Sequence, residues 1–170
     1  MVDKMNAPPR GAGRWLWLSL AVLFIDQLSK YAASHWLVLH EARSVLPSLN
    51  FTLVHNAGAA FSFLSNEPGW QRWLFTAIAL VVVLLIFFWL RRLPESEGRT
   101  AMGLALILGG ALGNVWDRIQ LGYVVDFIDV YYHDWHWPAF NVADSAITAG
   151  ATLLLLAAMA KKDGPDHHSQ

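Results

Sequence analysis

Four long apolar runs separated by more polar connections dominate the pattern of this chain: about 14–31, 71–90, 100–116 and 141–160. A helix crossing a hydrocarbon core of about 30 Å needs roughly 20 residues, and each run is close to that length. The second is the cleanest, with no charge from Trp73 to Leu90. The first could pass for a cleavable leader, but it runs into Asp26, Ser29 and Lys30 and three further runs follow, so it is read as a retained helix. The pattern predicts a polytopic, mainly α protein with four transmembrane helices, forming a single membrane-embedded domain over 1–170.

Between these runs the period changes. The segments Val45 to Val54 and Tyr123 to Tyr132 are rich in Val, Phe, Tyr and Thr and are bounded by Pro, Gly, Asn and Asp, which predicts strands of a small sheet. They fall in two longer connections, about 36–69 and 117–140. Eight of the twelve Lys and Arg flank the opposite ends of the runs (Lys4, Arg10, Arg14, Arg91, Arg92, Arg99, Lys161 and Lys162). Cytoplasmic flanks carry such an excess, so both termini are expected inside and the two connections outside. Trp36, Trp70, Trp73, Trp116, Trp135 and Trp137 then mark the outer interface, and Trp15, Trp17 and Trp89 the inner one. Pro8, Pro9, Gly11 and Gly13 suggest a flexible lead-in, and Asp163 to Gln170 a polar tail.

Composition sharpens this picture. The chain is 55% hydrophobic and only 15% charged, far from a soluble domain. A net charge of −1 without a clustered basic patch argues against nucleic-acid binding. With no cysteine, disulfides, thiolate nucleophiles and sulfur-ligated metals are excluded. Carboxylate, hydroxyl and imidazole chemistry survive.

Polar residues interrupt the runs at a common depth. At about 1.5 Å per residue, counted from the charged inner flanks, Asp26 lies roughly 18 Å in, Lys30 about 24 Å, Asn114 about 22 Å, Arg118 about 28 Å and Asp144 about 25 Å. Three helices thus contribute to one slab, and Asp126 enters it from the connection after the third run. Some of these residues have structural readings. Asp26 and Lys30, four apart, form a structural polar pair; Asn114 and Arg118, also four apart, fit a self-capped helix end as well as a site. Gly109, Gly110 and Gly113 permit close helix packing, and Asn56-Ala57-Gly58 fits a turn. Asp144 resists such a reading, because no basic residue follows it in its own helix before Lys161, and intramembrane carboxylates mark function.

Several chemistries fail on spacing. His40-Glu41 is followed by Ala42, Arg43 and Ser44, not the His-Glu-x-x-His of zinc proteases. His133 and His136 suit a surface role, and no metal or cofactor is expected. Ser29 and Lys30 are adjacent and point about 100° apart on a helix, so they make no dyad. Two carboxylates remain: a close pair cannot comfortably both ionise, so it holds one proton, and such a pair can activate water and protonate a leaving amine. A proton-coupled transporter and a membrane scaffold stay open beside a protease on these grounds alone.

Five motifs taken in order resemble the bacterial lipoprotein signal peptidases, or signal peptidase II. They are Asp26-Gln27-Leu28-Ser29-Lys30, Asn56-Ala57-Gly58-Ala59-Ala60-Phe61, Gly109-Gly110-Ala111-Leu112-Gly113-Asn114-Val115-Trp116-Asp117-Arg118, Val124-Val125-Asp126-Phe127 and Phe140-Asn141-Val142-Ala143-Asp144. The resemblance implies an aspartyl endopeptidase of the inner membrane, active near its periplasmic face. It would cleave diacylglyceryl-modified prolipoproteins just before the lipid-modified Cys. It also implies four transmembrane helices with a small extracytoplasmic antiparallel sheet and a short loop helix. Asp126 and Asp144 match the catalytic pair; Asn56, Gly58, Asn114, Arg118 and Asn141 are expected to bind substrate or support the pair. Asp129, outside the matched motif, is read as an accessory surface charge. Tyr123 stands where relatives often carry His. Phe51, Phe61 and Phe63 are expected to cover the peptide, with membrane lipid as the other partner and nothing that demands more than a monomer.

Overall fold

The first long helix shows how this chain builds a polar centre inside apolar surroundings. In α1 (Leu16–Trp36) the buried residues are Ser19, Val22, Asp26, Lys30 and Ala33, at helical spacings of three and four that place them on one face. The outward face is apolar and exposed: Trp17 is 76% and Phe24 68% accessible, a pattern that soluble surfaces avoid. The computed structural model describes residues 12–58 and 70–162. Residues 1–11 of the lead-in, the polar tail, Phe61 and Phe63 lie outside the described residues, and Gly13 falls in the first turn.

A short 3-10 turn (Ala12–Trp15) precedes α1. The strands β1 (Ala42–Leu46) and β2 (Leu49–Asn56) follow it, then α2 (Trp70–Arg92), α3 (Gly98–Gln120), β3 (Val124–Tyr132), β4 (Trp135–His136) and α4 (Val142–Lys162). α3 is the central helix and packs on the other three, most extensively on α4. Gly109 and Gly110 permit this. A Cβ on Gly109 would lie 2.6 Å from the Ser19 carbonyl oxygen of α1, and one on Gly110 would overlap the Ala143 carbonyl of α4. Both glycines act as packing residues, as expected. At the end of the bundle away from the sheet, Leu90, Leu93, Leu104 and Leu108 form an apolar cluster.

Four helices were expected and four are found, but α1 and α3 run on to Trp36 and Gln120, past the ends expected at 31 and 116. Asp117 and Arg118 lie past the expected end yet sit inside α3, where Asp117 meets Lys30, Gln27 and the Val125 N–H and Arg118 donates back to the Asn114 carbonyl. Two helices, α2 over Arg72–Arg92 and α4 over Val142–Ala160, are apolar enough to cross a membrane by composition alone. α1 and α3 have 21 and 23 residues, but their buried polar residues dilute the apolar content. The expectation of four spans therefore meets this criterion in two helices. No short loop helix occurs among the described residues of the two connections.

The antiparallel sheet is present, in the order β1-β2-β3-β4. Its feature of consequence is a register shift in β2: Phe51 pairs with Ile128 and Val54 with Asp126, so three steps on β2 face two on β3. A bulge of this kind re-aims side chains and is common beside sites. Phe140, just before α4, is strapped to β3 by hydrogen bonds from Phe127 N–H and Ile128 N–H to its carbonyl (3.1 and 2.8 Å) and from its own N–H to the Ile128 carbonyl (3.0 Å). This strap brings the start of α4 alongside Asp126.

Candidate active site

Asn141 links the two motif aspartates. It is the residue before α4, and its Oδ1 accepts the Asp144 N–H at 2.9 Å, an N-cap that satisfies one of the free donors of the first turn. Its Nδ2 donates to Asp126 Oδ1 at 2.7 Å. One fully buried amide thereby holds the backbone of one aspartate and the carboxyl of the other. Asn114, on α3, completes the bridge: its Nδ2 donates to Asp144 Oδ1 (2.8 Å) and its Oδ1 accepts from Asn141 (3.2 Å) and from Lys30 (2.9 Å).

The second Asp126 oxygen accepts from Asn56 Nδ2 at 2.9 Å. The Gly58 N–H donates to Asn56 Oδ1 at 2.9 Å, which fixes the orientation of that amide and turns its NH2 toward Asp126. Gly58 has φ +116, a left-handed backbone that suits glycine. The turn at Asn56-Ala57-Gly58 and the hydrogen bond to Asp126 therefore go together.

Asp126 is 1% exposed. Burial is the main reason its pKa rises, to about 6; the negative charge of Asp144 adds to the rise, and the Asn56 and Asn141 hydrogen bonds oppose it. Asp144 is half-buried at a helix N-terminus, where backbone dipoles favour a carboxylate. Two neighbouring carboxyls thus meet different environments, one dry and one open, an arrangement able to separate an acid from a base. Arg118 donates to the Asn114 carbonyl at 3.3 Å and lies within electrostatic reach of Asp144, Asp117 and Asp126.

Asp26 and Lys30 do pair, at 2.8 Å, but the pair belongs to a larger cluster. Lys30 also meets Asp117 at 2.9 Å, and Gln27 Nε2 donates to Asp117 Oδ1 at 2.8 Å. Asp117 and Gln27 were not singled out along the chain. Their signal was present, since Asp117 lies three residues after Asn114 on the same helix face and Gln27 follows Asp26 within its motif.

Asp129 corrects its sequence reading. It is 6% exposed, not a surface charge, because Asn50, Thr52 and His136 converge on it at 3.2, 3.1 and 2.8 Å. Its pKa is lowered: burial acts upward, but the hydrogen bonds from His136, Asn50 and Thr52 outweigh it. Tyr123 stacks on His55 with ring centroids 4.0 Å apart, and Phe51 meets Phe127 edge to face at 6.1 Å. Beside this contact, a hollow of about 630 Å³ opens between α1 and the sheet, lined by Ala33, Trp36, Arg43, Phe51 and Phe127 among others.

Residues 18–160 match a family model described as signal peptidase (SPase) II. Proteins named lipoprotein signal peptidase from Coxiella burnetii and Acinetobacter baumannii are 54% and 56% identical. The first match covers 92% of this chain and 94% of the relative, the second 84% and 81%. Two solved structures of bacterial membrane enzymes superpose with TM-scores of 0.77 and 0.81, at 30% and 26% identity. They cover 86% and 96% of this chain and 93% and 99% of their own. With its aspartates joined as described and its multi-pass helical architecture, the chain belongs to the signal peptidase II family of aspartyl membrane peptidases.

Proposed function

We propose that the protein removes signal peptides from diacylglyceryl-modified prolipoproteins, cutting before the lipid-bearing Cys with Asp126 and Asp144 as the catalytic pair. The observation that carries this is the Asn141 and Asn114 bridge, which holds a buried and a half-exposed carboxyl beside one another. Asp126 takes up a proton readily, and substrate that displaces water raises its affinity for that proton further. Asp144, facing the open side, accepts a proton from water. Asp126 hydrogen-bonds the scissile carbonyl as charge builds on its oxygen, and the leaving nitrogen then collects a proton from the pair. The pair titrates as a unit, so its pH profile belongs to both groups.

All four helices cross the inner membrane in this reading, with both termini cytoplasmic and the site near the periplasmic face. Basic flanks at one end support the orientation. The polar cluster of α1 and α3 supports the crossing, since each buried charge has a partner within the bundle and none faces lipid. A diacylated substrate already lies at the outer headgroups, so its acyl chains supply affinity while the peptide meets the pair.

The test uses the full chain purified in detergent, a diacylglyceryl-modified precursor and a chelator. Signal-peptide release that persists in the chelator is expected, and release that stops on adding it would rule out the metal-free mechanism. Asp126→Asn and Asp144→Asn should each remain folded and inactive.

A further inference from the structure

The proposed catalytic pair makes no use of three other deeply buried charges, for Asp26 is 0%, Asp117 2% and Lys30 3% exposed. A buried ion cluster is costly and apolar packing often replaces it at no loss of stability. Its geometry supplies a reason for it. The Lys30 ammonium donates to Asp26 Oδ2 (2.8 Å), Asp117 Oδ2 (2.9 Å) and Asn114 Oδ1 (2.9 Å), so all three of its protons are used. Asp26 Oδ1 accepts the Ala143 N–H at 2.8 Å, and Asp117 Oδ2 accepts the Val125 N–H at 3.1 Å. Ala143 immediately precedes Asp144, and Val125 immediately precedes Asp126.

We propose that Asp117 is a positioning residue for Asp126, and that Lys30, by holding Asp117 and Asp26 together, sets the separation of the two catalytic carboxyls through the backbone amides on which they hang. This rests on the assignment of Asp126 and Asp144 as the catalytic pair. Asp26 grips the first turn of α4 and Asp117 grips the start of β3. The ammonium between them ties both grips to α1. Asn114, held by the same ammonium, reaches Asp144 directly. An ion cluster serving stability alone would need no such match between its carboxylates and the two residues next to the aspartates.

Asp117→Leu removes the acceptor at similar size, and Asp117→Asn keeps one oxygen for the Val125 N–H. Wild type, both variants and Asp126→Asn are assayed as full chains in detergent on the lipid-modified precursor, with thermal unfolding followed in parallel. A misplacement of about 1 Å costs on the order of a hundredfold in rate. Asp117→Leu is therefore expected to lower kcat by about that factor with KM within about twofold, and Asp117→Asn to recover most of the loss. Asp117→Leu should also displace the acid limb of the pH profile, which a purely structural role leaves in place. Folded Asp117→Leu with near wild-type kcat, a loss carried by KM, or Asp117→Asn no better than Asp117→Leu would each overturn the proposal. Where Asp117→Leu does not fold, Asp117→Asn decides: a kcat lowered several-fold with a moved acid limb supports it, and an unchanged kcat and limb overturn it. A wild type that fails to cleave defeats the peptidase reading itself, whereas a cleaving wild type with indifferent Asp117 variants defeats only this inference.

Discussion

Asp126 and Asp129 lie three residues apart on β3, are both buried and both accept hydrogen bonds from side chains of β2. Their pKa values nevertheless move in opposite directions. Asp126 sits deeper and faces a second carboxyl, so burial wins and the proton is held. Asp129 has an imidazole beside it and a third donor, so the ionised form wins. Burial raises both carboxyls, and the number and charge of the donors that reach each one decide whether it prevails. The bulge at Phe51–Val54 falls between the two positions and separates the part of the sheet that serves the site from the part that staples β3 to β4.

The largest test of that contrast is activity. Asp126→Asn and Asp144→Asn should each lower kcat by about a thousandfold or more, the scale of losing an essential acid or base, whereas Asp129→Asn should keep activity within about tenfold in the same cleavage assay. If Asp129 proves essential and Asp126 dispensable, the assignment is reversed. Next is Asn141→Ala, which removes both the α4 cap and the grip on Asp126. It should cost about a hundredfold in kcat and about 1 kcal/mol in stability, read from turnover and from thermal unfolding in detergent.

The pH dependence of stability sharpens the comparison further. Native Asp126 keeps its proton up to about pH 6, while the unfolded chain gives it up near 3.8, so the native state binds more protons in between and loses stability as pH rises. Relative to Asp126→Asn, the wild type should lose on the order of 2 to 3 kcal/mol across that window and then level off. A difference that does not vary with pH would refute the buried, proton-holding Asp126. Asp129 has the opposite sign, since its stabilisation is present above 3.8 and is lost as pH falls through its lower native value. Asp129→Asn should therefore be less stable than wild type at neutral pH by about 1 kcal/mol, with the gap closing under acid.

Much of the site was legible because it is written in short motifs. Asp26, Asn56, Asn114, Arg118, Asp126, Asn141 and Asp144 were all picked out from the chain, and the structure brings them to one end of the bundle. Asp117 was not, because its partners are 87 and eight residues away at Lys30 and Val125, and nothing local to it on the chain points to them. Asp129 was misread because its place outside a matched motif says nothing of the side chains of β2 and β4 that converge on it.

The amino-acid sequence alone specified four long helices, strand-like connections between them and a shared level for the polar residues, since these depend on local periodicity and on the cost of charge in an apolar run. Which motif carboxyl is dry, which is open, and that Lys30 joins Asp26 to Asp117 were decided only by the tertiary structure. Those properties depend on distances between residues far apart in the chain, and electrostatics in a dry interior responds to distance, not to sequence order.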